Sequence, residues 1–537
     1  MQYLGSELAY HVPRATELFT DFLSYSFKVQ PFYPRSPRLS EWMTDEAPKL
    51  HYDSARRKQV AAVLERQNRI WGASAQTLAN VEKLRQGAQA MVSGQQVGLC
   101  GGPLFTIFKA LTAAKMAEQA SESGIECVPV FWLATYDHDL AEVNHVSVPD
   151  ACWALQELRT STEGVANASV GGLTFGLEIV PVVESTSALL GDSEVTRWLH
   201  EAYCPGQTFG SAFAKLCTRL FAEWGIILLD GSDPELHRLA RPIYRAAIER
   251  AAELTDDLLQ RGAELEAAGY HQQVKVTPSS TLLFMLRDGA RVPVHRLAAD
   301  AGFEVEGTKI SGTELLQQIE TAPENFSGNA LLRPVVQDYL LPTIAYTGGP
   351  AEVAYFAQAA VLYEALSGRV TPIVPRFSAT VVEAKPQALL ERYELHFPDI
   401  FQGPDKLREQ MAAGTLPKDL QSAFEQAESA LEQSMVKIRE GLVRLDATLV
   451  DSAMNAATKM QYQLSQLRSR AARAELRQTE VLGRHADLMS NVLYPNKNLQ
   501  EREIAGIYFV ARHGTEFLRE IYNAIHTDCL DHQVLSF

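Results

Sequence analysis

No run of roughly 18 apolar residues, the minimum for a helix that spans a bilayer, occurs anywhere in the 537-residue sequence. The stretch from Met1 to Tyr10 carries Glu7 and no basic residue ahead of an apolar segment, so a secretory signal is not expected and a cytoplasmic protein is. Cysteine is sparse. Cys100, Cys127, Cys152, Cys204, Cys217 and Cys529 are scattered without a CxxC pair, which argues against a disulfide framework and against a thiolate zinc site. The familiar phosphate-binding signatures are missing too: there is no Gly-Lys-Ser/Thr ending of a Walker A loop and no GxGxxG, so NAD binding is disfavoured. Positive charge is in deficit, with 49 Lys and Arg against 65 Asp and Glu and a net charge of −16. Such a surface repels a phosphate backbone, and nucleic acid is not an expected partner.

What is present is enough apolar residue, 46%, for a large core and two to four domains. The Pro and aromatic run at 30–37 is expected to lie extended over that core. From Gly87 onward an apolar strand (Ala88 to Val92), a Gly-rich turn, a helix (Leu104 to Gln119) and a second strand (Cys127 to Ala134) make a βαβ unit. Further strands are expected at Ile226–Asp230, Thr281–Leu286, Ala330–Arg333 and Thr371–Val374. Strands alternating with helices predict an α/β core over residues 1–400, with the weakly patterned stretches 150–215 and 260–325 as insertions. Over 405–490 basic and acidic residues balance. There Leu420, Phe424, Ala427, Leu431, Met435, Ile438, Leu442, Leu445 and Leu449 recur at steps of three and four, and a second stripe runs through Met460, Leu464, Leu467, Ala471 and Ala474. Asp446-Ala447-Thr448 is where the chain is expected to reverse, giving an antiparallel helical hairpin; one continuous rod is the rival geometry. Residues 491–537 are expected to dock back on the core.

Five segments could carry chemistry. The turn from Ser93 to Pro103 includes Gly94, Gln95, Gln96, Gly98 and Gly102; glycines let a ligand approach, and free amides at the following helix start could cradle phosphate or carboxylate. A ligand-free βα turn is the alternative. Asp137-His138-Asp139, followed by Asn144 and His145, sits where the second strand runs out, and these groups could orient an amine, take its proton or hold a divalent ion. Adjacent side chains in extended chain point to opposite faces, however, and a capped loop would read the same. Gly348, Gly349 and Glu352 repeat the Gly-Gly-Pro helix opening, either as a second anion site or as an ordinary helix start with Glu352 at the positive end of the dipole. Arg376 and Ser378, with Lys385 nearby, could neutralise phosphates, or be plain surface charge. Beyond the hairpin, Tyr494 could stack on a base beside Asn498 and Arg502, or simply cap the helices.

Taken together, Ser-Gly-Gln-Gln-x-Gly-Leu at 93–99, Gly-Pro-Leu-Phe-Thr-Ile-Phe-Lys at 102–109 and Pro-Val-Phe-Trp-Leu-Ala with Asp-His-Asp at 129–139 resemble the cysteine-adding enzymes of bacillithiol biosynthesis. The likeness continues through Leu-Leu-Arg-Pro-Val-Val-Gln-Asp at 331–338, Gly-Gly-Pro-Ala-Glu-Val-Ala-Tyr at 348–355, Val-Pro-Arg-Phe-Ser-Ala-Thr at 374–380 and the loop at 491–502. The resemblance implies a Rossmann-like core with inserted connecting-peptide subdomains, a C-terminal coiled coil used for homodimerisation, and an ATP-dependent ligase, with Mg2+, that places cysteine on the amine of glucosaminyl malate. Within that reading Gln95, Gln96, Asp137, His138 and Asp139 are the catalytic candidates. Ser93, Gly94, Gly98, Gly102, Pro103, Asn144 and His145 would bind substrate. Gly348, Gly349, Glu352, Arg376, Ser378, Lys385, Tyr494, Asn498 and Arg502 would bind nucleotide. Cys100 departs from the residue expected there, which counts against a catalytic thiol. A nucleotide-binding scaffold that recruits partners through its coiled coil is the alternative function.

Overall fold

The computed structural model describes residues 2–3, 15–162, 167–297, 302–413, 418–476 and 480–537. Its centre is laid down by β1 (Gln89–Gln95), α1 (Phe105–Glu122) and β2 (Cys127–Leu133). These are followed by β3 (Ile227–Asp230), α2 (Arg333–Leu340), β4 (Thr343–Gly348), α3 (Pro350–Ser367) and β5 (Ile373–Pro375). All pairings are parallel and the spatial order is β5-β4-β1-β2-β3, the Rossmann order with its direction reversing between β1 and β4. Parallel strands covered on both faces need apolar residues at every position, which explains the unbroken Cys-Val-Pro-Val-Phe-Trp-Leu of β2, buried throughout. α1 is buried almost all round because later segments cover its outer side: the Leu104 amide donates to Ile504 O at 2.9 Å, and the Phe377 amide to Thr112 Oγ1 at 3.1 Å.

Several expectations need correction. Ala330–Arg333 is not a strand: Asn329 Oδ1 accepts the amides of Leu331 and Leu332 at 3.0 Å, and Pro334 suits a first helical turn, so the segment opens α2. Thr281–Leu286 is a strand (Ser280–Arg287), but it belongs to a separate antiparallel sheet ordered Thr308–Ile310, Phe303–Val305, Ala290–Arg296, Ser280–Arg287, Phe326–Gly328. The stretch 150–215 holds three helices, Ile179–Leu190, Glu194–Ala202 and Phe209–Leu220. The Pro and aromatic run is not extended; Gln30–Phe32 forms a 3-10 turn that tucks Phe32 and Tyr33 into the core.

After β6 (Ala379–Val382), α4 (Lys418–Leu445) and α5 (Val450–Leu476) pack as an antiparallel hairpin, which rules out the rod. Arg468 reaches Glu428 at 3.7 Å, and Leu431 and Met435 face Ala453 and Ala457 across a shared crevice. The reversal falls at the Asp446 Asx turn, whose Oδ1 accepts the Thr448 amide at 2.9 Å and so offers the backbone an alternative to continuing the helix. Ala474 lies outside the described side chains. α6 (Glu480–Leu493) leads back, and β7 (Gln533–Ser536) pairs in parallel with β6. Among the described residues no helix is long and apolar enough to cross a membrane.

Candidate active site

Where strand order reverses, a cavity of about 540 Å³ opens at the carboxyl ends of β1, β2 and β4. α1 reads Phe-Thr-Ile-Phe-Lys-Ala-Leu-Thr-Ala-Ala from Phe105, and the one charge in that apolar run, Lys109, is 5% exposed. Its ammonium donates to Glu352 Oε2 at 2.6 Å, Gln95 Oε1 at 2.9 Å and Gly94 O at 3.1 Å. Glu352 also accepts from the Tyr346 hydroxyl at 2.6 Å and the Gly349 amide at 2.7 Å. Burial pushes that carboxyl up, but Lys109 and these donors outweigh it and hold Glu352 below the usual carboxylate range. Burial, with Arg376 and Arg333 close by, pulls the Lys109 ammonium down against the pull of Glu352.

More cations line the same wall than Glu352 can balance. Arg333 donates to Gln337 Oε1 at 3.0 Å and to the Tyr355 hydroxyl at 2.9 Å. Arg376, 8% exposed, is held by Glu501 Oε1 at 2.5 Å and Phe377 O at 2.7 Å, while its buried Nε has no partner among the described residues. Arg502 donates to no acceptor among the described residues; burial and the neighbouring Arg376 charge lower its pKa. Lys109, Arg376 and Arg502 stand 5.6, 5.3 and 5.9 Å from the Phe105 ring centre. α3 also begins at the cavity, with Pro350, Ala351 and Glu352 in the lining, so the positive end of its dipole lies there. Four cations against the carboxylates of Glu352 and Glu501 leave this wall with a surplus of positive charge.

The opposite wall is acidic. Gln96 Nε2 donates to Asp137 Oδ2 and to Glu142 Oε2, both at 2.6 Å. Asp137 also lines a second cavity of about 480 Å³ beyond Trp132, bounded by the antiparallel sheet. A third, of about 330 Å³, extends toward the C-terminal segment past Gly348, Gly349, Arg376, Ser378, Asn498 and Arg502. A fourth, of about 270 Å³, lies under the Gly-rich turn and is lined by Gln95, Gln96, Gly98, Gly102, Pro103 and His145. The switch-point cavity shares residues with each of the other three.

The two loops after β1 and β2 therefore meet, but through side chains. Four amides of the turn and helix start are spent inside the protein rather than left free for a phosphate: those of Gly98, Gly101, Gly102 and Leu104 donate to Gln96, Gly98, Leu99 and Ile504 carbonyls. Ser93 is buried and ties β1 to β4 by donating to Thr347 O at 2.9 Å, so it cannot reach a substrate. His138 is exposed and, of these four cavities, lines the second alone, and Asp139 caps the short helix Leu140–Val143 through the Glu142 amide. Asn144 is engaged by Arg159 and lines none of these cavities. Glu352 is the counter-ion of Lys109 rather than a phosphate ligand. Lys385 stands 5.6 Å from the Trp153 ring, away from the cavities, and Tyr494 is buried edge-on against Phe401 at 5.0 Å, inside the C-terminal core. Cys100 is fully enclosed and burial pushes its thiol up to about 12, so it is inert. Sequence reasoning missed Lys109, Glu142, Arg333, Tyr346 and Glu501. A lone lysine in an apolar helix was the readable signal for the first; the others are defined only by what packs beside them.

A Rossmann-type core with its crevice at the switch point, insertions around it and a helical hairpin beyond is the architecture these observations define. Residues 6–377 match the family model described as Bacillithiol biosynthesis BshC, N-terminal Rossmann-like domain, and residues 379–537 match Bacillithiol biosynthesis BshC, C-terminal coiled-coil domain. The chain belongs to this family. It is 48% identical over 524 residues to a protein of Koribacter versatilis, with 98% of each chain covered, and 36% identical over 528 residues to one of Solibacter usitatus, again with 98% of each covered. A protein of Geobacillus kaustophilus is 29% identical over 520 residues, covering 95% of this chain and 96% of its own. All three carry the name "Putative cysteine ligase BshC".

Proposed function

We propose that this chain is an ATP-dependent ligase that joins the carboxyl group of L-cysteine to the amine of glucosaminyl malate, the step that completes bacillithiol. The observation that carries the reading is one crevice with a cationic wall and an acidic wall on either side of Gln95 and Gln96. Amide formation from a free carboxylate needs an activated carboxyl, and activation on a nucleotide develops phosphate charge that Lys109, Arg333, Arg376 and Arg502 are placed to stabilise. Asp137 stands at the opening between the switch-point and second cavities, where it can hold the substrate ammonium and accept its proton before the amine attacks the activated carbonyl. Among the described residues no three His, Cys, Asp or Glu side chains converge on one point, so magnesium in this proposal travels on the nucleotide's phosphates. The apolar side chains left open along the hairpin support a homodimer, and a biosynthetic enzyme of this kind would act in the cytoplasm. The test is purified protein with Mg-ATP, cysteine and glucosaminyl malate, read by mass spectrometry. Bacillithiol should form, and Asp137→Asn, Gln95→Ala and His138→Ala should each lower turnover at least tenfold. Nucleotide binding without product would favour a scaffold instead. Undiminished turnover in all three variants would remove this crevice as the active site.

A further inference from the structure

Arg291 carries a charge that the switch-point cavity does not use. It rises from the antiparallel strand Ala290–Arg296 into the second cavity, with its guanidinium 4.0 Å from the centre of the Phe284 ring. Nε donates to Ser327 Oγ at 2.9 Å and Nη2 to Gly328 O at 2.7 Å, both neutral acceptors, and Nη1 donates to nothing among the described residues. Among the described residues no carboxylate pairs with it. Its burial lowers its pKa to about 10, against the distant pull of Asp137, so it is still a cation at neutral pH. An enclosed charge without a counter-ion is unfavourable until something anionic arrives, and here the fork is already held in place by a ring and two fixed acceptors, so a carboxylate meets a preformed donor edge.

The rest of the cavity suits what that carboxylate would be attached to. Trp132, Tyr136, Tyr244 and Phe284 supply aromatic surface of the kind that packs on the apolar face of a sugar ring, and among the described residues Asp137 is the only carboxylate in the lining. Asp137 faces the switch-point cavity too, across Trp132. Gly231 makes this wall possible, because a Cβ there would lie 2.4 Å from the Trp132 ring. On a glucosaminyl acid the amine and the acidic aglycone occupy neighbouring ring carbons. A site that holds the amine at the junction must therefore hold the acid close by, on the antiparallel-sheet side.

We infer that the second cavity is the acceptor subsite, and that Arg291 is its specificity-determining residue, reading a carboxylate of the sugar's acidic aglycone while Asp137 receives the amine. This rests on the ligase reading for the identity of the acceptor, so the test is a binding measurement that needs no turnover. Titration calorimetry with glucosaminyl malate and with methyl glucosaminide, which has no carboxylate, should show the wild type preferring the acid at least tenfold. Arg291→Gln should bring the two ligands within about threefold, entirely by loss of affinity for the acid, with ATP affinity unchanged; Arg291→Lys should keep part of the preference. Equal binding of both ligands by the wild type, or full discrimination in a folded Arg291→Gln, would overturn the assignment. Selective binding without any bacillithiol formed would sink the ligase reading and leave the subsite standing, whereas bacillithiol formed with unaltered discrimination in Arg291→Gln would sink the subsite alone.

Discussion

Replacing Arg502 with Met should make the empty protein more stable and a poorer nucleotide binder at once. Arg502 lines three of the four cavities, donates to no protein acceptor among the described residues, and stands beside Arg376, whose own partner Glu501 is already engaged. Burial and that like charge both lower its pKa, so its positive charge is unfavourable in the absence of an anion. Removing a repulsion in a partly hydrated site is worth about 0.2–1 kcal/mol, the scale of an exposed pair with the sign reversed. The methionine stem keeps most of the packing. A phosphate in the cavity would instead lose a charge-assisted hydrogen bond worth about 1.5–3 kcal/mol, or roughly 10- to 150-fold in ATP affinity. Denaturant unfolding of nucleotide-free protein reads the first effect and calorimetry with Mg-ATP the second. Arg502→Lys, which keeps the charge and loses the fork, should fall between wild type and Met on both. A Met variant destabilised by more than about 1 kcal/mol whose ATP affinity stays within about twofold of wild type would refute the idea that this arginine waits for an anion.

Acid should weaken the fold before its carboxylates protonate. His237 and His532 are buried, and burial takes each down to about 4. Unfolded, they bind protons near pH 6.5, so the stability they support is whole above that pH and declines as pH falls toward 4. The loss should be on the order of 1–3 kcal/mol per histidine, and the slope of unfolding free energy against pH should flatten in a His237→Gln, His532→Gln double variant; a wild-type profile level down to pH 4.5 would contradict this. For the homodimer, light scattering at micromolar concentration should give twice the 59.4 kDa chain mass. Val443→Glu with Leu467→Glu, at positions 58% and 56% exposed on the hairpin, should return the monomer mass, and a monomeric wild type would end the proposal.

Local signals carried the parts of this protein that depend on neighbours in the chain. The β1, α1, β2 unit was legible because burial on both faces demands apolar strands and because a Gly-rich turn must join strand to helix. The hairpin was legible because its apolar residues repeat with the helical period, and its reversal because Asp446 can bond its own backbone two residues on. Ala330–Arg333 misled for the same local reason: Leu-Leu beside Arg looks like a strand until the Asn329 cap and Pro334 are weighed.

Only the tertiary structure decided where the crevice lies, since β4 enters the sheet beside β1 some 250 residues later and brings Glu352 onto Lys109. It also decided that Ile504, in the C-terminal segment, takes up the Leu104 amide at the start of α1, and that Asp137 faces both the switch point and the neighbouring cavity, His138 the neighbouring cavity, and Asp139 a helix end. The physical reason is the same in each case. A sequence fixes which groups can donate, accept or carry charge, but whether a buried group is satisfied or left open to a ligand depends on partners that the chain brings from far away.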